Sequence, residues 1–451
     1  MSTSLIILAA GKGTRMRSDL PKVLHKVAGF PLLAHAMASG AALSPERTVI
    51  VTGHGAEQVD AAARNFDETA TCVLQEEQLG TGHAVLQARP ALEGVSGDVI
   101  VLYGDTPFIR PETLEAMAEA RKSHDVVVLG FHAADPGKYG RLVMDGEELQ
   151  KIVEFKDASI RERAIDFCNS GVISASAETL FSLLDKVTND NASGEYYLTD
   201  IVALAREAGL SATAVACDET ETMGVNSRAD LAVAEAAFQL RARAEALESG
   251  ITLTAPETVF FAMDTYIGPD CEIEPNVFFG PGVTIENGAH IRAFSHLEGC
   301  HVSRGGIVGP YARLRPGAEL AEDVRVGNFV EIKNAVLDEG AKVNHLTYIG
   351  DAHIGEKTNV GAGTITCNYD GVFKHHTEIG KRAFIGSNTM LVAPVTVGDE
   401  AMTASGAVIT KDVPEGALAL ARAEQVNKPG LARKLFEMLK SKKAKQAGSK
   451  S

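Results

Sequence analysis

A chain of 451 residues with 45% hydrophobic residues and a formal net charge of −16 has room for two or three domains and the apolar share of an ordinary globular fold. The acidic balance argues against nucleic acid as the main partner, and the want of an apolar run of about 18 residues argues against membrane insertion. Cys72, Cys168, Cys217, Cys271, Cys300 and Cys367 are scattered with no CxxC pair, and Ser2-Thr3-Ser4 runs into Leu5-Ile6-Ile7-Leu8 without the basic start of a secretion signal. Both features predict a reducing cytoplasm and no structural zinc.

Up to residue 228, short apolar runs alternate with Ala- and Leu-rich stretches suited to helices. Leu5–Leu8 ends in Ala-Ala-Gly, Val49–Val51 in Thr-Gly-His-Gly, Val99–Leu102 in Tyr103-Gly104-Asp105, and Val126–Leu129 in Gly130. That alternation predicts an α/β domain with a mainly parallel, Rossmann-like sheet, and ligands in such sheets bind beyond the carboxyl ends of the strands. The first strand end reads Leu8-Ala9-Ala10-Gly11-Lys12-Gly13-Thr14-Arg15-Met16, with Pro21-Lys22 downstream. Its glycines let backbone N–H groups approach a phosphate, and Lys12, Arg15 and Lys22 supply positive charge. The spacing is too short for a Walker A loop and is not GxGxxG, which argues against a dinucleotide redox enzyme.

Ala229–Leu247 carries no Gly or Pro, places Leu231, Ala234, Phe238 and Leu247 at broadly helical spacing, and meets a stop at Gly250. We expect a connecting helix over 229–250.

Beyond it an aliphatic residue returns every sixth position: Ile267, Ile273, Phe279, Ile285, Ile291 and Leu297; then Leu320, Val326 and Ile332; then Tyr348, Ile354 and Val360; then Ile379, Ile385, Leu391, Val397, Thr403 and Ile409. A six-residue period fits neither a helix nor an alternating strand. It predicts a parallel β-helix over 251–428, with the repeated residue pointing inward and Gly or Asn near the corners. Three faces per coil give roughly nine or ten coils and a length of about 45 Å. The densest chemistry lies between Tyr311 and Asn388, where Arg313, Arg315 and Lys333 precede His345, Tyr348 and Asn359. The repeat breaks from Thr366 to His376, and an ejected loop on a solenoid is often functional. His375 and His376 fall in that loop and read as exposed. Residues 429–451 read as a C-terminal helix and a solvated tail rich in lysine (Lys440, Lys442, Lys443, Lys445, Lys450).

The string GxGTRM followed by Pro-Lys resembles the signature of sugar-nucleotide pyrophosphorylases. Together with the hexapeptide repeats, the chain resembles the bacterial family of bifunctional N-acetylglucosamine-1-phosphate uridyltransferases and glucosamine-1-phosphate acetyltransferases over about residues 4–428. The resemblance implies a left-handed β-helix, a homotrimer, and two reactions. Glucosamine 1-phosphate and acetyl-CoA give N-acetylglucosamine 1-phosphate; that product and UTP give UDP-N-acetylglucosamine and pyrophosphate, feeding peptidoglycan and lipopolysaccharide synthesis. For residues 1–228 it implies UTP and UDP-sugar contacts from Leu8, Ala9, Ala10, Gly11, Lys22, Gln75, Gly80, Thr81, Tyr103, Gly104, Asp105, Gly140, Glu154, Asn169 and Asn226. Asp105 and Asn226 would hold Mg²⁺, while Arg15 and Lys22 stabilise the transferring phosphate. For residues 251–428 it implies His345 as catalytic base and Arg315, Lys333, Tyr348 and Asn359 around the sugar phosphate. Ala362, Asn368, Tyr369, Lys374, Ser387, Ser405 and Arg422 would hold acetyl-CoA, and Glu331 is a candidate to orient His345. A covalent acetyl-enzyme on Cys367 is disfavoured because His-assisted attack needs no such step.

Two other readings are weaker. A pyrophosphorylase for another sugar, using the β-helix only to oligomerise, leaves the His345 cluster and the Asn368-Tyr369 loop unexplained. A regulatory subunit has no need of intact Arg15, Lys22 and Asp105.

Overall fold

The structure, a computed structural model, describes residues 2–448; Lys450 of the expected tail lies outside the described residues. The chain forms two compact units. One holds the residues up to Ile267 with Pro275–Val283, the other Gly268–Glu274 with the residues from Thr284 onward.

The first unit is built on one twisted sheet of strands β1 (Thr3–Ala9), β2 (Thr48–Thr52), β3 (Thr71–Leu74), β4 (Asp98–Tyr103), β5 (Val126–His132), β6 (Arg141–Asp145), β7 (Glu148–Val153), β8 (Phe167–Ser176) and β9 (Ala212–Cys217). Their order is β9-β5-β8-β4-β1-β2-β3, with β6 and β7 attached beside β8. The sheet is parallel except where β8 runs against β4, β5 and β6 and in the β6–β7 hairpin. Runs such as Leu5–Leu8 carry no polar alternation because both faces are covered. Leu5, Ile7, Ile50, Ile100 and Leu102 pack with Leu33 and Leu114 on one side. Ile6, Leu8, Val49, Val51, Val99 and Val101 pack with Val85 and Leu180 on the other. β1 lies between β2 and β4, with Leu8 beside Tyr103. The order of the strands reverses there, so the loop after β1 and the end of β4 face one crevice.

The expected connecting helix spans Arg228–Glu248 and starts in a capping box of Ser227 and Asp230. It is fastened to its own unit by polar contacts: buried Gln239 accepts from Phe261 N at 2.8 Å and donates to Phe261 O at 2.7 Å, and Glu235 accepts from Ala28 N at 2.7 Å. Ala234 and Phe238 are buried as expected, but Leu247 is exposed and Ala246 takes the inward position.

The second unit is a left-handed parallel β-helix of hexapeptide repeats. One face stacks strands from Glu272–Ile273 through His290–Ile291, Arg325–Asn328 and Lys342–His345 to Leu418–Ala419. Ile273, Ile285, Ile291, Leu297, Leu320, Val326, Ile332, Ile354, Val360, Ile379, Ile385, Leu391, Val397, Thr403 and Ile409 are buried, as the six-residue register requires. One member of that register is corrected: Ile349, not Tyr348, points inward, and Tyr348 is only half-buried. The step from Ile349 to Ile354 is five residues, which frees Tyr348 for the outer surface. The corners also depart from the expected Gly or Asn. Phe294, Tyr311, Phe329 and Leu346 all have left-handed φ between 52° and 59° and remain exposed. The three aromatics stack coil on coil, with centroids 4.9 and 5.3 Å apart. A loop leaves the ladder where one was expected, but it begins at Asn368 rather than Thr366, because Thr366 and Cys367 still pair with Leu391 and Val392; 25 residues separate Ile365 from its partner Met390, against 17 between Tyr348 and Ile365. Lys440, Lys442, Lys443 and Lys445 are solvated, on a helix spanning Leu431–Gly448 rather than on irregular chain.

Candidate active sites

A cavity of about 670 Å³ lies in the first unit against the helix Arg228–Glu248, between His35, Phe108 and Arg241, but it takes in none of the expected substrate, metal or catalytic residues. A smaller cavity of about 350 Å³ opens at the carboxyl ends of β1 and β4. Leu8, Ala9, Ala10, Gly11, Lys22, Gln75, Gly80, Thr81, Tyr103 and Asp105 line it, ten of the expected nucleotide contacts. The Lys22 ammonium pairs with Asp105 and donates to Asn226 Oδ1 at 3.1 Å. The backbone brings these together, because Val225 N donates to Asp105 O at 2.9 Å and Asp230 accepts from Asn226 N at 3.0 Å. Gln75 is buried, with its amide donating to Gly80 O at 3.2 Å. Tyr103 is half-buried by residue, but its phenol is enclosed; burial first, then the charges of Asp105 and Glu154, hold its proton on well above the usual range.

Gly140, Glu154 and Asn169 form a second polar group. Asn169 N donates to Gly140 O at 2.9 Å, and a Cβ on Gly140 would sit 3.4 Å from Glu154 Oε1. Burial raises the Glu154 carboxyl above its ordinary value, although Thr199 donates to it at 3.3 Å. Arg15 stands apart from both groups. It is exposed on the short turn Thr14–Met16, outside the cavity wall. Gln78 and Glu195 line the cavity and were not singled out from sequence. Gln78 donates to Ala10 O at 2.7 Å, and the nearness of Gln78 to Gln75 and Gly80 was the available signal.

In the β-helix, three cations and an acid lie on successive coils. Arg315 donates to Glu331 at 2.8 Å, and Arg313 stands 3.8 Å from the same carboxylate. Lys333 is held below the usual lysine range by Lys374, through direct contact and then charge. Burial works to raise the Asp351 carboxyl, but hydrogen bonds from Asn334 (2.6 Å) and Asn368, with the charges of Lys374 and Lys333, hold it below its ordinary value. The ejected loop is thus anchored at Asn368 and closed on itself. Tyr369 donates to Gly371 O at 2.6 Å, and Asp370 caps Val372 and Phe373 while pairing with His375 at 2.7 Å. His376 is exposed, but His375 is half-buried by that pair. Ser405 O accepts from Arg422 at 2.8 Å, and Ser387 O accepts from Gly406 N at 2.8 Å. Asn359 pairs in register with Lys342, and Ala362 O accepts from Asn388 N at 2.7 Å.

His345 is exposed and its Nδ1 lies 3.0 Å from Asn328 Oδ1. Glu331 does not orient it, because that carboxylate is occupied by Arg315 and Arg313. Burial pushes the Cys367 thiol up, away from the thiolate a nucleophile needs. All six cysteines are free, and among the described residues no group of three His, Cys, Asp or Glu side chains gathers to hold a metal ion.

A protein from Ruegeria sp. (strain TM1040) named bifunctional protein GlmU is 73% identical over 447 residues, 99% of this chain and 100% of that one. Proteins of the same name from Ruegeria pomeroyi (71%, covering 98% and 99%) and Cereibacter sphaeroides strain ATCC 17025 (69%, covering 98% and 97%) are similar throughout. The chain belongs to the bifunctional GlmU family. It is a bifunctional enzyme of acetyl and uridyl transfer. Family models divide in the same way as the fold. A MobA-like NTP transferase domain matches residues 5–162, and the bacterial transferase hexapeptide model matches 264–299 and 376–411. The first match ends before Asn169 and Asn226, and the polar cluster of the β-helix, from Arg313 to Lys374, lies between the two hexapeptide matches.

Proposed function

We propose that the β-helix acetylates glucosamine 1-phosphate with acetyl-CoA and that the α/β unit joins the product to UMP from UTP. The observation that carries the second assignment is the convergence of Lys22, Asp105 and Asn226 at the mouth of the crevice after β1. The attacking phosphate is already an anion, so the uridyl site needs no general base. It needs positive charge on the α-phosphate and leaving pyrophosphate, supplied by Lys22 and by Arg15 on its exposed turn. Gln75, Gly80 and Thr81 read the uracil; Tyr103, Gly104, Gly140, Glu154 and Asn169 hold the sugar. The oxygens of Asp105 and Asn226 both lie against one cation, the Lys22 ammonium, and such a hard oxygen pair fits Mg²⁺ together with substrate phosphates. Bound there, Mg²⁺ neutralises phosphate charge.

In the β-helix, Arg315, Lys333, Tyr348 and Asn359 hold the sugar phosphate. Ala362, Asn368, Tyr369, Lys374, Ser387, Ser405 and Arg422 hold acetyl-CoA. His345 takes the proton of the 2-amino group as it attacks the thioester. The protein works as a cytoplasmic homotrimer and feeds peptidoglycan and lipopolysaccharide synthesis. Among the described residues no helix is long and apolar enough to cross a membrane.

The test is one incubation with glucosamine 1-phosphate, acetyl-CoA, UTP and Mg²⁺, reading thiol and pyrophosphate separately. His345→Ala should lose thiol release yet make pyrophosphate from N-acetylglucosamine 1-phosphate; Asp105→Ala should do the reverse. A wild type that makes pyrophosphate only from another sugar phosphate, and releases no thiol, sinks this reading.

A further inference from the structure

We propose that Asn328 is a positioning residue for acetyl transfer, holding His345 in the tautomer that leaves Nε2 free to accept the amine proton. The proposal rests on the reading of His345 as the base.

The strands Arg325–Asn328 and Lys342–His345 are parallel neighbours on one face of the β-helix, with Asn328 directly opposite His345. Residues paired in this way project on the same side of the sheet, which is why side chains 17 positions apart in sequence meet at 3.0 Å. Asn328 Oδ1 can only accept, so the proton of the neutral ring sits on Nδ1. The lone pair is then on Nε2, which has no hydrogen-bond partner among the described residues. The backbone beneath the ring is also fixed. His345 O accepts from Thr347 Oγ1 at 2.7 Å and from Gly363 N at 3.2 Å, and Leu346 N donates to Asn328 O at 3.1 Å. Gly327 has to be glycine for the two coils to lie this close, since a Cβ there would collide with the Asn344 carbonyl.

The chemistry of the partner matters as much as its place. A carboxylate at position 328 would fix the same tautomer but favour imidazolium, a protonated ring that cannot act as base. A neutral amide orients the ring without that penalty. Glu331, the acidic candidate named above, is committed to Arg315. In the reaction the amine nitrogen attacks the thioester carbonyl and its proton passes to Nε2. The C–S bond then breaks, and the departing thiolate takes that proton from the ring.

The experiment follows thiol release by the full-length protein from pH 5.5 to 9 for wild type, Asn328→Ala, Asn328→Asp and His345→Ala, with uridyl transfer as the control for folding. Asn328→Ala should lose about 10- to 100-fold in kcat with KM for both substrates held, the usual scale for removing a group that orients a functional histidine. Asn328→Asp should keep its high-pH rate within about threefold of wild type, while the acid limb of its profile moves up by about one pH unit. If His345→Ala is inactive but Asn328→Ala shows the wild-type rate and profile, Asn328 has no such role and the base assignment survives. The proposal is equally overturned by an Asn328→Asp profile that superimposes on wild type. If His345→Ala remains active, the base reading itself falls. Should Asn328→Ala lose uridyl transfer through misfolding, the Asp variant alone decides.

Discussion

The Lys22 ammonium bridges Asp105 and Asn226, joining the first loop, the end of β4 and the segment just before the helix Arg228–Glu248. One side-chain cation thus lies against both oxygens proposed to hold the metal. Lys22→Ala should lower uridyl transfer by about 10²- to 10³-fold, the range for removing one preorganised group from a transition state. Thiol release should not change. Lys22→Arg keeps the charge but not its compact shape, and pyrophosphate assays should place it between wild type and Lys22→Ala.

Glu154 predicts a pH-dependent stability effect. Its folded pKa is raised by burial. The stability it brings is therefore present below the unfolded value of about 4.5 and is lost as pH rises through the folded value. Glu154→Gln should raise the melting temperature of the ligand-free protein by about 1–3 °C at pH 7.5, with the gain shrinking as pH falls. The same variant should raise KM for N-acetylglucosamine 1-phosphate. Calorimetry at two pH values checks the first statement; a variant less stable than wild type at pH 7.5 refutes it.

The opposite sign holds for His353, which lies between Glu378 (2.6 Å) and Asp338 (3.0 Å) on the outer surface of the β-helix. Burial works to lower its pKa, but the two carboxylates raise it overall. Its contribution is full below about 6.5 and fades as pH rises through the folded value. His353→Gln should therefore cost more melting temperature at pH 6 than at pH 9. Equal losses at both would show that packing, not charge, is what the histidine provides.

Asp351 ties the ejected loop to the coil below through Asn334 and Asn368. Asp351→Ala leaves both amides without their acceptor. It should raise KM for acetyl-CoA about tenfold, roughly the loss of one charge-assisted hydrogen bond, and leave pyrophosphate formation alone. Initial rates against acetyl-CoA concentration give the answer.

Much of this arrangement was legible in the residues. Strand ends show as apolar runs that stop at glycine or acid, which marks Leu8–Gly11 and Tyr103–Asp105; Lys22 shows as charge after a glycine-rich turn, whereas Gln75, Gly80 and Thr81 follow from the family resemblance alone. The six-residue return of aliphatics exposes the β-helix because each coil repeats the same inward position. What stayed hidden depends on which coil lies beside which. Asn328 is an unremarkable Asn in a run of Gly, Asn and Phe; only the parallel register sets it against His345. Glu331 is the acidic candidate for that task, yet its neighbours across the face are Arg313 and Tyr348. Tyr348 falls one place off because five-residue steps, as from Ile332 to Leu337 and from Ile349 to Ile354, interrupt the six-residue count.

The ejected loop leaves the rungs on either side undisturbed. Ile365 still sits on Met390, and Ala352 still pairs with Thr377, although the intervening coil has swollen. Lengthening or trimming the chain between Cys367 and Thr377 therefore rethreads nothing. A solenoid built this way can exchange the rim proposed to hold its acyl donor as one exchanges a tool in a chuck, and a graft at this corner leaves the spindle untouched.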